Sequence, residues 1–384
     1  MKRKEMKIKK RGAIEVQFNW IFVLVAGAII LLFFITVSQK AAKSSKVRIA
    51  DDILDQFSLA ISGAKVSTGT ANLIETPKMG FEFSCDSSSC NQFGCTSGYT
   101  VRGTGIEGRQ TKIHPVFAPN IVKGNYIVTW TVDWNIPYRI GNFVYVTSPE
   151  VKYYLVIDEN IQGSKEFILE LNRTLPDKEL RTGEATRTLL NKEIVYAKDL
   201  NRIVYQNNYK TIFVYYEGDI YTLHSSFKGT DNQHISIKPK KEGIDGYGVI
   251  EFMKPPYTSR TRAFYAGRAS LFGAIFAEDA DYYDCNMKKA MLMYNIIGRV
   301  YSEKARILYN YYCNTQGIGG VCQKNNAECQ FFVYYKNVYD RLQNLNYQYN
   351  QKSVEEIYQK AFAGQDSLEQ ISENLMKASC PVVY

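Results

Sequence analysis

One uninterrupted apolar run dominates the pattern of hydrophobic and polar positions. Residues 18–37, FNWIFVLVAGAIILLFFITV, contain no charged side chain, and Asn19 and Thr36 are their polar interruptions. A helix rises about 1.5 Å per residue, so this run matches the roughly 30 Å hydrocarbon layer of a bilayer. The pattern predicts a transmembrane helix. A cleaved signal peptide is the alternative, with cleavage near Ala41 or Ala42, but its apolar core would be about 7–15 residues long.

Directly after this run, the apolar pattern changes to a helical stripe. Apolar side chains recur every four residues at Ile49, Ile53, Phe57 and Ile61. Such a repeat is typical of an amphipathic helix that packs one face on a core. No glycine or proline stands between Gly27 and Gly63. We therefore predict that residues 38–64 continue the membrane helix as one rod.

Beyond residue 65 the period of the pattern indicates sheets and then helices. Residues 65–150 contain FEFSC, YTVRG, YIVTWTVDW and NFVYVTS, which predict a strand-rich region. Residues 151–260 contain nearly continuous apolar segments, typical of a sheet covered on both faces. We expect a small α/β domain there, with KYYLVID, EIVYA and TIFVYYEG as central strands and a helix in GSKEFILELNRTLP. Residues 261–384 predict a helical section, so the fold class is an α+β or α/β ectodomain behind one N-terminal transmembrane helix.

Basic residues are concentrated before the apolar run. Residues 1–12 hold seven lysines and arginines against the single acid Glu5, which is +6 of the formal net charge of +9. Under the positive-inside rule such a flank stays in the cytoplasm. Residues 1–17 are therefore predicted to be cytoplasmic, and the chain after the apolar run extracellular, at the plasma membrane. The basic balance favours the lipid bilayer as a partner, with proteins on the outer face, over nucleic acid.

All eight cysteines follow the apolar run: Cys85, Cys90, Cys95, Cys285, Cys313, Cys322, Cys329 and Cys380. An even number of cysteines outside the cytoplasm predicts disulfides. Because three cysteines precede residue 100 and five follow residue 280, complete pairing requires at least one bridge between the two groups. Cys313 is expected to pair locally with Cys322 or Cys329. A metal site is not favoured, because the sequence has no C-x2-C pair and no histidine near the cysteines.

The sequence contains none of the common catalytic motifs, neither H-E-x-x-H nor a P-loop nor G-x-S-x-G. Gly103–Gly108 fits G-x-G-x-x-G, but no helix is predicted to open there, so we expect a turn and no cofactor. Carboxylates at the predicted strand ends form a candidate ligand site: Asp158, Glu159, Glu217 and Asp219. The alternative for these acids is a structural role as solvated caps. Asn172 begins an N-x-T sequon, which predicts glycosylation of an extracellular chain.

The residues before the apolar run resemble the class III signal of archaeal type IV pilin-like proteins. Two basic residues and Gly12 precede AIEVQF, which contains Glu15, and the apolar helix follows. The resemblance covers residues 10–40. It implies cleavage after Gly12, Ala13 as the first mature residue, and a long first helix, half in the membrane and half packed on a head domain. The family has a glutamate at its fifth mature position, whereas Glu15 would be third here; an uncleaved anchor is the alternative.

Together these features favour a single-pass, membrane-anchored cell-surface protein with a structural or interaction role, and the resemblance adds a pilin-like apparatus as its setting. A membrane-tethered enzyme or ligand receptor is the rival hypothesis, with its site at the strand ends near Asp158 and Glu217. No catalytic motif supports an enzyme, so a non-enzymatic role is favoured.

Overall fold

A computed structural model describes the following residues of the chain: 12–64, 67–106, 108–136, 138–176, 179–182, 185–206, 209–218, 223–228, 230, 232–241, 243–254, 260–311, 326–342, 351–361, 368–377 and 380–383. Asp219, Cys313 and Cys322 lie outside these ranges, and so does the side chain of Cys329. The predicted pairing of Cys313 with Cys322 or Cys329 therefore falls outside the described residues.

Helix α1 (Gly12–Ala64) is one continuous helix of 53 residues. Its bounds confirm the prediction that the apolar run and the amphipathic stripe form a single rod. Among the described residues it is the one helix long and apolar enough, by length and composition, to cross a membrane. The large apolar side chains of residues 20–37 are 43–72% exposed. The rest of the described protein therefore leaves this part of α1 uncovered.

The C-terminal part of α1 packs one face on the head. The buried side chains of this face are Ala50, Ile53, Leu54, Phe57 and Ile61. The ring of Phe57 contacts three aromatic rings of the head, with centroids 4.7–6.2 Å apart: Phe81, Phe83 and Tyr99. Residues 50–61 of the rod are therefore an integral part of the folded head.

Ile49 does not belong to this buried face, contrary to the predicted stripe. It is 40% exposed, whereas Ala50 is fully buried. A strict four-residue repeat turns about 40° around a helix at each step, so Ile49 lies well around the helix from Ile61. The contact begins one residue later and alternates between spacings of three and four residues.

Two small sheets follow α1. Their strands are β1 (Ala71–Glu75), β2 (Gly80–Asn91), β3 (Gly94–Val101), β4 (Arg109–Gln110), β5 (Val116–Phe117), β6 (Ile121–Lys123), β7 (Tyr126–Asn135) and β8 (Arg139–Thr147). One sheet has the order β1–β7–β8–β5 and the other the order β4–β3–β2–β6. Strands thus occur where alternation predicted them. Helix α1 contacts strands of both sheets, so the head receives the helix on its strand-rich part.

A mixed α/β unit comes next, as the apolar segments predicted. Its elements are β9 (Val151–Ile157), α2 (Ser164–Thr174), β10 (Glu179–Thr182), β11 (Ala185–Thr188), β12 (Asn191–Tyr196), β13 (Lys210–Tyr216), β14 (Asn232–Pro239), β15 (Tyr247–Met253) and β16 (Arg260–Ala266). The main sheet has the order β12–β9–β13–β14–β15–β16, and β10 and β11 form a separate hairpin. Strands β12, β9, β13 and β14 are parallel, whereas β15 and β16 are antiparallel to their neighbours.

The segment EIVYA was predicted to be a central strand, and this was wrong. It belongs to β12, which lies at the edge of the sheet. Buried and more exposed positions mix along β12, and Tyr196 at its end is 37% exposed. The place of a strand in a sheet depends on its pairing partners and crossover connections, which its own apolar composition does not encode.

Five helices complete the described chain: α3 (Gly267–Phe276), α4 (Ala280–Tyr309), α5 (Asn326–Leu342), α6 (Gln351–Ala361) and α7 (Leu368–Lys377). The helical section starts after β16 rather than at residue 261, because β16 pairs with β15. Gly267 makes the transition with a φ of 75°, and a Cβ there would lie 2.7 Å from Ile136 Cδ1. Only glycine meets both conditions without strain.

One large buried apolar cluster extends through all these parts, and a smaller second cluster lies in the α/β unit around Phe213. The large cluster includes Phe57 of α1, Phe81 of β2, Leu155 of β9, Phe272 of α3 and Met291 of α4. The predicted boundaries near residues 150 and 260 therefore mark changes of element type within one shared core.

We expect Phe57→Ala to lower the free energy of unfolding by about 3–5 kcal/mol, because it leaves a cavity among three aromatic rings. Leu59→Ala is the matched control, since Leu59 lies on the same helix and is 72% exposed; its effect should stay within about 0.5 kcal/mol. Urea unfolding of the detergent-solubilised chain, followed by tryptophan fluorescence, measures both. Equal losses in the two variants would contradict the docking of α1 on the head.

Candidate functional site

A pocket opens where the strand order of the main sheet reverses. The chain passes from β9 to β12 on one side and then to β13 on the other side of β9, with all three strands parallel. In open α/β sheets, ligands usually bind at the carboxyl ends of the strands at such a point. A cavity of about 850 Å³ lies there, lined by the turn after β9, the first turns of α2, Tyr216 and Gly243. We call it the strand-end pocket.

Two of the four acids predicted at this edge line the pocket, namely Asp158 and Glu159. Glu217 follows β13 with a φ of 54°, and its backbone N–H donates to the carbonyl oxygen of Ile237 at 2.7 Å. Glu217 is not part of the lining, and Asp219 lies outside the described residues. The structure thus brings Asp158 together with Tyr216 rather than with Glu217.

Asp158 is buried and holds the turn between β9 and α2. Its Oδ1 accepts hydrogen bonds from the backbone N–H and the Nδ2 of Asn160, at 2.9 and 3.0 Å. Its own backbone N–H donates to Ser164 Oγ at 3.0 Å. The hydrogen bond from the backbone N–H of Asn160 to Asp158 Oδ1 forms an Asx turn. The carboxylate therefore has a structural role in the loop and also places negative charge at the wall of the pocket.

Further carboxylates enter the pocket from α2, and the sequence analysis missed them. The lining carries four acids and one ammonium group: Asp158, Glu159, Glu166, Glu170 and Lys165. Glu166 and Glu170 stand four residues apart, which places them on one helix face. That spacing could have located them once the buried face of α2, which holds Phe167 and Leu171, was known.

Charge and aromatic surface together suit an organic cation. Lys198 pairs with Glu159 at 2.6 Å, but both side chains are exposed and such pairs contribute little. The rings of Phe167 and Tyr216, with centroids 4.9 Å apart, add an aromatic face. An ammonium or guanidinium group gains from carboxylates and from the face of an aromatic ring.

In the described part of the chain these carboxylates do not converge as a metal site would require. The one set of potential ligand atoms that lie close together there is the sulfur atoms of Cys90, Cys95 and Cys285. Each of these sulfurs is bonded to another sulfur. A metal is bound by the thiolate form of cysteine, so the cysteines as they stand here are not ligands.

Two disulfides join the four cysteines that pair within the described residues. Cys85 bonds to Cys285 across a sequence separation of 200 residues, and Cys90 bonds to Cys95. Cys380 is also disulfide-bonded. The first bridge joins the N-terminal group of cysteines to the C-terminal group, as the odd number of cysteines in each group predicted. By closing so long a loop it limits the unfolded chain, which stabilises the fold.

The structure also describes the glycine-rich segment after β3 and the N-x-T sequon. Gly103 and Gly105, with φ of 76° and 70°, lie between β3 and β4, and no helix opens after them. The predicted turn is therefore present. Asn172 lies within α2, where its side chain is partly buried and its carbonyl oxygen accepts a hydrogen bond from Lys192 Nζ at 2.6 Å. The sequon thus belongs to a helix rather than to a loop.

Helix α4 carries one buried and one partly buried ionisable side chain, Lys289 and Asp284, that the sequence analysis also missed. Lys289 is 1% exposed, and its Nζ donates to Asn286 Oδ1 at 3.0 Å, Thr111 Oγ1 at 3.3 Å and the carbonyl oxygen of His114 at 3.4 Å. Burial lowers the pKa of Lys289 to about 7. Burial raises the pKa of Asp284 to about 7, opposed by Lys288.

We expect Lys289→Met to stabilise the protein more at pH 6 than at pH 9. Between pH 7 and about 10.5 the unfolded chain binds one proton more than the folded chain at this residue, so its contribution to the unfolding free energy rises with pH by up to ~1.4 kcal/mol per unit. The Lys289→Met variant lacks this rise of the unfolding free energy with pH. Chemical unfolding across pH measures it. Lys377→Met on α7 is the matched control, because the Lys377 side chain is 72% exposed, and an equal pH-dependent gain there would contradict the assignment to Lys289.

Comparisons of the chain with protein-family models, with curated proteins and with solved structures found no match. No relative therefore supplies a function to this chain. The features that bear on function are its own: an exposed apolar half of α1, a head locked by disulfides, and an acidic pocket at a strand-order reversal.

Proposed function

We propose that the chain is a single-pass, membrane-anchored protein of the cell surface, whose head has a structural or interaction role. The observation that carries this proposal is the division of α1. Residues 20–37 expose apolar side chains, whereas residues 50–61 are seated in the head. Soluble monomers rarely expose contiguous apolar patches larger than a few hundred Å². A bilayer removes this surface from water at about 25 cal/mol per Å².

The proposed orientation places the N-terminus in the cytoplasm and the head outside. The basic residues before the apolar run support it. The disulfides support it independently, because such bonds persist in oxidising compartments. Residues 38–49 of α1 lie between the apolar run and the buried face, and a helix of that length holds the head about 18 Å from the hydrocarbon layer.

The division of α1 also supports the pilin-like setting. Pilin-like proteins are built on a long first helix that is half in the membrane and half packed on a head. Helix α1 likewise has an exposed apolar part and a part packed on the head. We propose that Gly12 is the processing site and Ala13 the mature N-terminus. Protein partners on the outer face, including further copies of the chain, fit a head held away from the bilayer.

A second candidate function is a ligand receptor that uses the strand-end pocket. The position of the cavity at the reversal of strand order favours it. Four carboxylates and the Phe167–Tyr216 pair would select an amine or guanidinium group. A membrane-anchored head with such a pocket would capture cationic ligands at the cell surface.

We expect the full chain, produced in an archaeal host with a class III signal peptidase, to remain with the membranes and to begin at Ala13. External protease should digest the head in intact cells. Gly12→Leu should retain Met1 while staying in the membrane, because the peptidase recognises the glycine. N-terminal sequencing and protease treatment measure these outcomes. An intact Met1 in the unmodified chain would exclude pilin-like processing, and a protease-resistant head would exclude the orientation.

For the strand-end pocket, we expect Glu166→Gln with Glu170→Gln to weaken the binding of an organic dication such as putrescine about tenfold, which corresponds to ~1.4 kcal/mol. Calorimetric titration of the detergent-solubilised chain with putrescine measures the affinity. Glu369→Gln with Glu373→Gln on α7 is the matched control, because it makes the same change in net charge away from the pocket. Equal weakening by both pairs would show general charge attraction, and the pocket would not be the site.

A further inference from the structure

Two disulfides meet where the β2–β3 hairpin contacts α4. Cys85 and Cys90 lie on β2, Cys95 on β3 and Cys285 on α4. The Sγ atoms of Cys90, Cys95 and Cys285 all lie within 4.8 Å of one another. In addition, Cys95 Sγ lies 3.8 Å from the backbone oxygen of Cys285. A sulfur of one disulfide is therefore within reach of a sulfur of the other.

Each disulfide joins a buried cysteine to a partly exposed one, and the two bonds differ in how the partly exposed cysteine is held. Cys285 is fully buried and Cys95 is 3% exposed, whereas Cys85 and Cys90 are both partly exposed. Cys85 pairs with Ser97 in the regular β2–β3 ladder and packs against the core. The ladder shifts register between Asp86 and Asn91, so the segment around Cys90 is not held in regular pairing. An external thiolate therefore reaches Cys90 Sγ first. The sulfur that leaves is then Cys95, at the wall of a groove of about 630 Å³.

We infer that these four residues, Cys85, Cys90, Cys95 and Cys285, form a thiol–disulfide exchange site. Its substrate is a dithiol, which supplies two electrons through the accessible Cys90–Cys95 bond. The site then transfers the bond of Cys285 from Cys85 to Cys95. This inference does not depend on the proposed membrane anchoring, since it rests on the positions of the sulfur atoms alone.

The steps balance as three thiolate substitutions. One thiolate of the dithiol attacks Cys90 Sγ, forms a mixed disulfide and expels Cys95 as a thiolate. That thiolate attacks Cys285 Sγ, forms the Cys95–Cys285 bond and expels Cys85 as a thiolate. The second thiolate of the dithiol attacks its own partner sulfur, and Cys90 leaves as a thiolate. The dithiol ends as a cyclic disulfide, and its two protons end on Cys85 and Cys90.

The exchange keeps α4 covalently joined to the hairpin. Before it, the helix is bonded to β2 through Cys85; afterwards it is bonded to the neighbouring strand β3 through Cys95. Both free thiols then lie on β2, and Cys90 is on the segment outside the regular ladder. The site can therefore take up two electrons while the long-range bridge to α4 is retained.

Limited reduction of the full chain with one equivalent of dithiothreitol tests the inference. After acid quenching and alkylation, cleavage at Asp86 separates Cys85 from Cys90, and cleavage after Phe93 separates Cys90 from Cys95, so mass spectrometry assigns each bond. We expect Cys85 and Cys90 to be alkylated about equally and Cys95 to be linked to Cys285. Alkylation of Cys90 and Cys95 with the Cys85–Cys285 bond intact would overturn the inference.

Two single variants test the order of the steps without added reductant. Cys90→Ser leaves Cys95 as a thiol beside the Cys85–Cys285 bridge, and we expect a mixture of Cys85–Cys285 and Cys95–Cys285 bonds. Cys95→Ser removes the transferring sulfur, and we expect Cys85–Cys285 alone. Exchange in the Cys95→Ser variant, or its absence in the Cys90→Ser variant, would overturn the assigned order. Because the reduction experiment uses the unmodified chain, it remains decisive if a variant fails to fold.

Discussion

The contact between Phe57 and the aromatic rings of the head is the interaction on which the arrangement of this protein depends. Phe57 is fully buried in the middle of the docked face of α1. Arg109 forms ion pairs with Asp51 and Asp55 at the border of this contact, at 3.0 and 2.7 Å, but these side chains are 35–62% exposed. Such pairs contribute little. Apolar burial therefore seats the helix, and because α1 has no break, it also sets the direction in which the apolar half leaves the head.

Helix α4 supplies a second constraint on the same head. It contacts the β2–β3 hairpin, β8, β16 and α5. Cys285 bonds to β2, and Lys289, one turn later, donates to Thr111 and to the carbonyl oxygen of His114. A covalent bond and a buried amino group thus leave the same face of α4, one turn apart, toward the strand-rich part. Bond transfer to Cys95 would preserve this attachment, because β2 and β3 are neighbouring strands.

The strand-end pocket could be located from the sequence only in part. Asp158 directly follows a nearly continuous apolar run, and the acids that close parallel strands share one edge of a sheet. The reversal of strand order at β9 could not be located, because it depends on which strands pair. Glu217 stays out of the lining, whereas Glu166 and Glu170 join it because α2 packs on β9 and β13. Which residues of a helix face a site can be inferred only when the strands that pack on the helix are known.

The sequence by itself determined the features that depend on neighbouring residues: the length of the apolar run, its continuation to Ala64 as one rod, and the helical and strand periods that follow. The count of cysteines in each group also required one long-range bridge if all of them pair. The tertiary structure alone decided that Cys85 bonds to Cys285, that β12 lies at an edge and that Lys289 is buried. The reason is physical: these outcomes depend on contacts between segments far apart in the chain, and no local period records which distant segment will cover a given face.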